Sequence, residues 1–313
     1  VHMTNCKKVT SEFSNMRLDK VSSEMFKDFS RTQLKKWILE GRILLNSELA
    51  LPKDNVHVDD VIEINPTTEK KNFWEPEDIY FDVMAEEKDY LIINKPSNLI
   101  MHPGAGSNNG TLANGLLYKY PELENIPRAG IVHRLDKDTS GALLVARTEK
   151  FRNYFVQELQ ERKVKKNYIA AVVGKIIGSL AIDDPIGRDK NNRTKMSIRP
   201  DGKEAYSFIK LEEDFNNYSL LDVSIKTGRT HQIRVHLASK KLPIIGDKTY
   251  NPSGNIAKNT PKELIDLIRN FPRQALHSSK LSFVDPETHE DISFDAPIPQ
   301  DIKNLISQLK KHI

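Results

Sequence analysis

His133-Arg134-Leu135-Asp136-Lys137-Asp138-Thr139-Ser140-Gly141 sets one carboxylate, Asp136, behind an arginine and ahead of a second acid, two hydroxyls and a glycine. Gly130-Ile131-Val132 precedes the stretch and Ala142-Leu143-Leu144-Val145-Ala146 follows it. Short apolar runs bounded by turn residues have the pattern of buried strands. Asp136 is therefore expected on a loop between two strands, where a rigid frame can hold a reactive group. The same letters allow a plainer arrangement, in which Asp136 caps a turn and pairs with Arg134. A control lies upstream: Arg17-Leu18-Asp19 repeats the three central letters without the flanks, and Asp19 reads as structural.

Around this stretch the composition is that of a globular chain. Of 313 residues, 38% are hydrophobic and 29% charged, enough for two domains. No apolar run approaches the ~18 residues that span a bilayer. A single cysteine, Cys6, excludes an internal disulfide and a cysteine-based zinc cluster. The N-terminus lacks a charged-then-apolar leader pattern, so a cytoplasmic setting without a membrane is expected. The net charge is only +4, so its placement matters more than its size. Arg188, Lys190, Arg193, Lys195, Arg199 and Lys203 crowd residues 188–203, and Arg162, Lys163, Lys165 and Lys166 crowd residues 162–166. Such runs are either solvated faces or parts of one basic surface.

Residues 1–14 are polar and read as loose. A compact unit follows over 15–65. Ser30 with Gln33 three residues on is a capping box, placing a helix start near Arg31. Leu34, Trp37 and Ile38 form its buried stripe, Gly41 fits the residue past its end, and Arg31, Lys35 and Arg42 face outward. Ile43–Asn46, Val56–Val58 and Val61–Ile64 suit short strands. A polar linker over 66–78 tethers this unit to a larger domain over 79–313. There, strands are expected at Tyr90–Lys95, Tyr168–Val173, Tyr206–Ile209 and Leu220–Val223. Helices are expected at Thr111–Tyr120, Phe151–Arg162 and within Thr230–Ser239. Strands dominate without regular βαβ alternation. The expected fold is thus α+β: a mixed, mainly antiparallel sheet with flanking helices and a central cleft, plus a small N-terminal α/β domain.

The nine residues from His133 to Gly141 resemble the catalytic-loop motif of the RluA/RluD-type RNA pseudouridine synthases. In order, Lys166-Asn167-Tyr168-Ile169-Ala170, Thr227-Gly228-Arg229-Thr230-His231-Gln232-Ile233-Arg234, Pro243-Ile244-Ile245-Gly246-Asp247 and Arg273-Gln274-Ala275-Leu276-His277 continue the resemblance. The line from Ser30 to Ile43 resembles the RNA-binding domain first seen in ribosomal protein S4. His102-Pro103-Gly104-Ala105-Gly106 with Gly110-Thr111-Leu112 is most similar to the branch acting on large-subunit ribosomal RNA. Two places depart from the family text: Lys240-Lys241-Leu242 stands where a glycine turn is common, and Asn251 follows Tyr250 where glycine is frequent.

The resemblance implies that this is an isomerase turning uridine into pseudouridine in RNA. The base leaves the sugar through a ring nitrogen, rotates and rejoins through a ring carbon. Asp136 is the implied essential carboxylate, acting either as nucleophile at the anomeric carbon or as base on a sugar proton. Tyr168 is the implied active-site tyrosine. Arg229 is the first choice for the cation beside Asp136, with Arg234 second; a phosphate contact is the alternative for both. Arg134 is expected to fill the space of a flipped base, or else to pair with Asp138. His133, at the cleft, and Arg31, Lys35, Arg42, Arg188, Arg193 and Lys195 are expected to bind the RNA substrate. No cofactor, metal or obligate protein partner is implied; His133, His231 and His236 lack the acid- or cysteine-rich setting of a metal site, and His133 and His231 are read as packed and hydrogen-bonded near the cleft. Other classes remain open on the residues alone: a non-catalytic RNA-binding or assembly factor, a synthase acting on tRNA, or a nucleoside hydrolase. The last usually needs two carboxylates across the bond.

Overall fold

The computed structural model describes residues 5–65, 74–104 and 106–312. The N-terminal unit contains β1 (Asn5–Lys8), α1 (Leu18–Met25), α2 (Arg31–Leu39), β2 (Ile43–Leu45), β3 (Glu48–Leu49) and β4 (Val61–Ile64). Its antiparallel sheet runs β1-β4-β2-β3. The expected stripe is buried: Leu34, Trp37 and Ile38 pack with Leu18, Ile43 and Ile62. Ser30 caps α2 by accepting the Gln33 N–H at 3.2 Å. Gly41 follows the helix with φ 64°, and a Cβ there would come within 2.7 Å of Leu49.

Two expectations fail in this unit. The segment up to residue 14 is not wholly loose, because β1 pairs with β4. Val56–Val58 is not a strand. Val56 exchanges backbone hydrogen bonds with Asn15 and Met16, and the Asp60 carboxylate accepts the His57 N–H, curling the chain into a turn.

The larger sheet is built from β5 (Asp82–Glu86), β6 (Tyr90–Lys95), β7 (Ser140–Ala146), β8 (Lys165–Val173), β9 (Ser179–Ile182), β12 (Ser207–Phe215), β13 (Tyr218–Ile225), β14 (Leu276–Val284) and β15 (Asp291–Asp295). A separate hairpin joins β10 (Ile186–Arg188) and β11 (Met196–Ile198). The order is β5-β6-β7-β14-β8-β13-β12-β9, with β15 beside β14; only the β7–β14 pairing is parallel. Flanking helices are α3 (Leu112–Lys119), α4 (Glu149–Gln160), α5 (Gln232–Ser239), α6 (Lys262–Arg269) and α7 (Gln300–Lys311). This is the expected α+β, mainly antiparallel arrangement. Gly130–Val132, however, is no strand. Pro127–Gly130 forms a 3-10 turn with Arg128 and Ala129 in left-handed conformation, and only Ile131 bridges to Val145.

The linker residues 66–73, and Ala105 of the 102–106 loop, lie outside the described residues. The N-terminal unit is docked on the larger domain, where the sequence suggested tethering alone. Arg152, buried on α4, donates to the carbonyls of Glu40 and Gly41 at 2.7 and 2.8 Å. Gln160 donates to the Ile38 carbonyl at 3.2 Å, Arg128 pairs with Glu63 at 3.3 Å and Arg193 with Asp59 at 2.7 Å.

Candidate active site

Asp136 sits on the loop entering β7, and the Thr139 N–H donates to its carbonyl to close a turn. Three side chains fix that loop from below. Lys95, fully buried at the end of β6, donates to the carbonyls of Pro96, Leu99 and Lys137. Arg273 donates to the Asp138 carbonyl and the Ser140 hydroxyl while paired with Asp301. Gln274 donates to the Thr139 hydroxyl at 3.2 Å. Gly141 is required by this close approach, because at φ 119° a Cβ would meet the Ser278 carbonyl oxygen at 2.1 Å. The motif's two hydroxyls and glycine, with the Asp138 backbone carbonyl, therefore build the loop that presents Asp136.

The cation facing Asp136 is Arg234, not Arg229. Arg234 Nη1 donates to Asp136 Oδ2 at 3.0 Å. The rest of that guanidinium forms a bidentate pair with Asp247, at 2.7 and 2.9 Å. Burial works against charge on Arg234, yet the hydrogen bonds and charges of Asp247 and Asp136 raise its pKa further. Asp247 is 1% exposed. Burial opposes its charge too, but Arg234 and the Thr249 and Tyr250 N–H groups hold its carboxyl below the usual range. Arg229, which the sequence favoured, turns the other way. Its Nε donates to the Glu204 carbonyl at 2.9 Å and its Nη1 lies 3.9 Å from Glu48. The reason is local: Arg229 stands in the turn before α5, whereas Arg234 lies in the first turn of the helix, facing the β7 loop.

Tyr168 is buried in the middle of β8 and lines the same cleft as Asp136. Burial, reinforced by the Asp136 charge, pushes its hydroxyl well above the ordinary phenol range. Arg134 also lines the cleft, with a buried Nε that has no hydrogen-bond partner among the described residues. His133 is committed elsewhere: its Nε2 accepts the Leu144 N–H at 2.9 Å, and burial with the nearby Lys166 charge drives its pKa down to about 3. His231 Nε2 lies 3.9 Å from Asp136 Oδ2, and its Nδ1 shares a hydrogen bond with the Tyr250 hydroxyl at 2.7 Å. Burial lowers the His231 pKa even with Asp136 beside it. The Arg234 guanidinium lies 5.0 Å from the Tyr250 ring centroid.

The cleft encloses about 830 Å³ and is walled on one side by the N-terminal unit, including Ser47, Glu48, Lys53 and Asn55. Of the outlying basic residues, Lys35 and Arg188 are exposed, and Lys195 is half-buried on the hairpin. Arg31 is exposed but pairs with Asp19, which also takes a bidentate pair from Arg17, so Asp19 is structural. Arg193 is spent on Asp59. Arg42 does not face outward. The left-handed turn at Gly41 sends it inward, where it pairs with Glu40 and Glu149. His236 hydrogen-bonds Ser207 and the Asp184 carbonyl. Among the described residues no group of three or more His, Cys, Asp or Glu is arranged to hold a metal ion, and no helix is long and apolar enough to cross a membrane.

Sequence reasoning quoted Asp247 and Tyr250 without giving them a task, counted Lys203 only as part of a basic run, and passed over Glu48. Asp247 had a signal, an acid closing an apolar run beyond the arginine helix. Glu48 had none, because its role depends on how the two units dock. The departure at Lys240-Lys241-Leu242 is accommodated by Lys241 itself adopting φ 60°.

The pattern of the RNA pseudouridylate synthase family matches residues 89–239, and that of the S4 domain matches residues 16–62. The chain is 41% identical over 303 residues to ribosomal large subunit pseudouridine synthase D of Xanthomonas campestris, spanning 97% of this chain and 92% of that protein. Against the Escherichia coli K12 protein of the same name, identity is 40% over 295 residues, 94% of this chain and 90% of the relative. Among solved structures, human RNA pseudouridylate synthase domain containing 4 superposes with a TM-score of 0.57 at 21% identity. It covers 73% of this chain and 92% of that one, a likeness of fold.

Proposed function

The chain belongs to the RNA pseudouridylate synthase family, and we propose that it isomerises specific uridines of large-subunit ribosomal RNA, in the cytoplasm, with Asp136 as the catalytic carboxylate. The supporting observation is the Asp247–Arg234–Asp136 chain of ion pairs in a cleft of about 830 Å³. The family supplies the reaction. The bond from C1′ to N1 breaks, uracil turns, a bond from C1′ to C5 forms, the C5 proton leaves and N1 ends protonated. Atoms and electrons balance within the nucleotide, so no donor or oxidant is needed.

In this reading Asp136 works at the sugar, either on C1′ or on the C2′ proton. Arg234 gives it a fixed cationic partner in a site from which water is largely removed, where preorganised charge counts most. Tyr168 stacks on the base and, as a hydroxyl that keeps its proton at neutral pH, donates to or relays from the turning ring. Arg134, whose buried Nε has no hydrogen-bond partner among the described residues, takes the place of the extruded base. Lys35, Arg188 and Lys195 supply phosphate contacts that hold register without reading sequence. The test is incubation of the full chain with a large-subunit rRNA transcript and mapping of pseudouridine. Formation at discrete uridines supports the reading, and formation only on tRNA redirects the substrate.

A further inference from the structure

Glu48, on β3, reaches from the N-terminal unit into the cleft, where its side chain is 9% exposed. Its carboxylate accepts the Thr230 N–H at 2.6 Å and also the Thr230 hydroxyl, with Arg229 at 3.9 Å. Lys166 stands behind the same turn: a Cβ on Gly228 would lie 3.2 Å from its Nζ. Lys166 is 7% exposed and lines the cleft. Burial and the Arg229 charge bring its pKa down to about 8, against the opposing pull of Glu48. Lys203 lines the same wall and feels the charges of Glu48, Arg229, Asp60 and Asp54.

Burying an ammonium is costly. Here Lys166 is retained close behind a turn that also carries the Arg229 guanidinium and the Thr230 N–H and hydroxyl, all donors. Glu48 is the carboxylate that hydrogen-bonds the turn itself, while Asp54 and Asp60 act on Lys203 from farther along the N-terminal unit; cations gathered at one wall of a cleft suit a polyanion. The carboxylate is supplied by a separate unit that docks over the cleft, so it is removable in a way that a core residue is not.

We propose that Arg229, Thr230, Lys166 and Lys203 form a slot for a phosphodiester of the RNA backbone, and that Glu48 fills this slot while the N-terminal unit is docked. Docking of the unit and entry of the phosphate therefore compete. The proposal rests on the RNA-isomerase reading and adds to it a defined binding point and a displaced anion.

The test uses the full chain, a large-subunit rRNA transcript as probe, and equilibrium binding at low salt. Glu48→Gln keeps the shape and removes the competing charge, so affinity is expected to rise about tenfold. In a Lys166→Met background the gain is expected to vanish. Equal or weaker binding by a folded Glu48→Gln chain overturns the proposal, because Glu48 would then only brace the turn. A gain that survives intact in Lys166→Met also overturns it, since simple long-range repulsion would explain that result. Should Glu48→Gln fail to fold, Lys166→Met alone decides: it must weaken binding and reduce the salt slope by about one, and unchanged binding sinks the slot. Pseudouridine formation by the unaltered chain is read in parallel. Its absence removes the isomerase reading, whereas its presence without a Glu48 effect removes only the slot.

Discussion

Arg234 and Asp247 form a bidentate pair inside the protein, and the one guanidinium nitrogen left over donates to Asp136. The proposed catalytic carboxylate, Asp136, is thus aimed by an arginine that is itself held by a second, more deeply buried carboxylate. A planar fork with several donors can make both contacts at once, which a lysine cannot. Arg234→Lys is therefore expected to fold and bind RNA while losing about 10²–10³ in single-turnover rate, the scale for removing one preorganised donor. Arg229→Ala is expected to weaken RNA binding and leave the rate at saturating RNA nearly unchanged. The reverse pattern in the two variants would return the role beside Asp136 to Arg229.

Asp247→Asn leaves a buried arginine without its partner. Loss of one member of a buried pair costs about 3–5 kcal/mol. The pH dependence has a definite sign. The folded pKa of Asp247 is depressed, so its stabilisation is present above the ordinary carboxyl range and is lost as pH falls through the folded value. Urea unfolding from pH 7 down to pH 3 should show the wild-type curve converging on that of Asp247→Asn at the acid end. Parallel curves across the range would remove the linkage.

Tyr168→Phe retains the buried ring and loses the hydroxyl. RNA affinity and thermal stability should stay close to wild type while the single-turnover rate falls about 10²-fold, the lower end for a proton-transferring group. Full activity would reduce Tyr168 to a stacking surface.

Removal of residues 1–70 strips Arg152 of both its carbonyl acceptors, at Glu40 and Gly41. Burial already lowers the Arg152 pKa to about 10. The remaining domain is expected to unfold at a lower temperature than the full chain, and Arg152→Met is expected to recover part of the loss only in the truncated form. Recovery of the same size in both forms would show that docking does not satisfy Arg152.

Much of this was legible in the residues. The 3.6-residue spacing in Leu34, Trp37 and Ile38 and the cap at Ser30 place α2, and the apolar run after Gly141 is β7. Local rules failed where a neighbouring turn overrode them. Pro127 with left-handed Arg128 and Ala129 breaks the strand expected at Gly130–Val132, and Asp60 curls Val56–Val58. Arg229 and Arg234 are five residues apart in one basic motif, and choosing between them requires knowing which side of α5 faces the β7 loop. Arg42 was misplaced because the Gly41 turn reverses the chain. The docking that brings Glu48 to Thr230 joins residues 182 positions apart, and no periodicity records it.

The most direct measurement is made on Asp136→Asn. Asparagine keeps the size and one acceptor for Arg234 but can act neither as nucleophile nor as base at the sugar. Pseudouridine in a large-subunit rRNA transcript, melting temperature and RNA affinity are measured side by side with the unaltered chain. The account predicts no pseudouridine above background, with melting temperature and affinity close to wild type. Appreciable turnover by Asp136→Asn, or loss of the fold in its place, would contradict it.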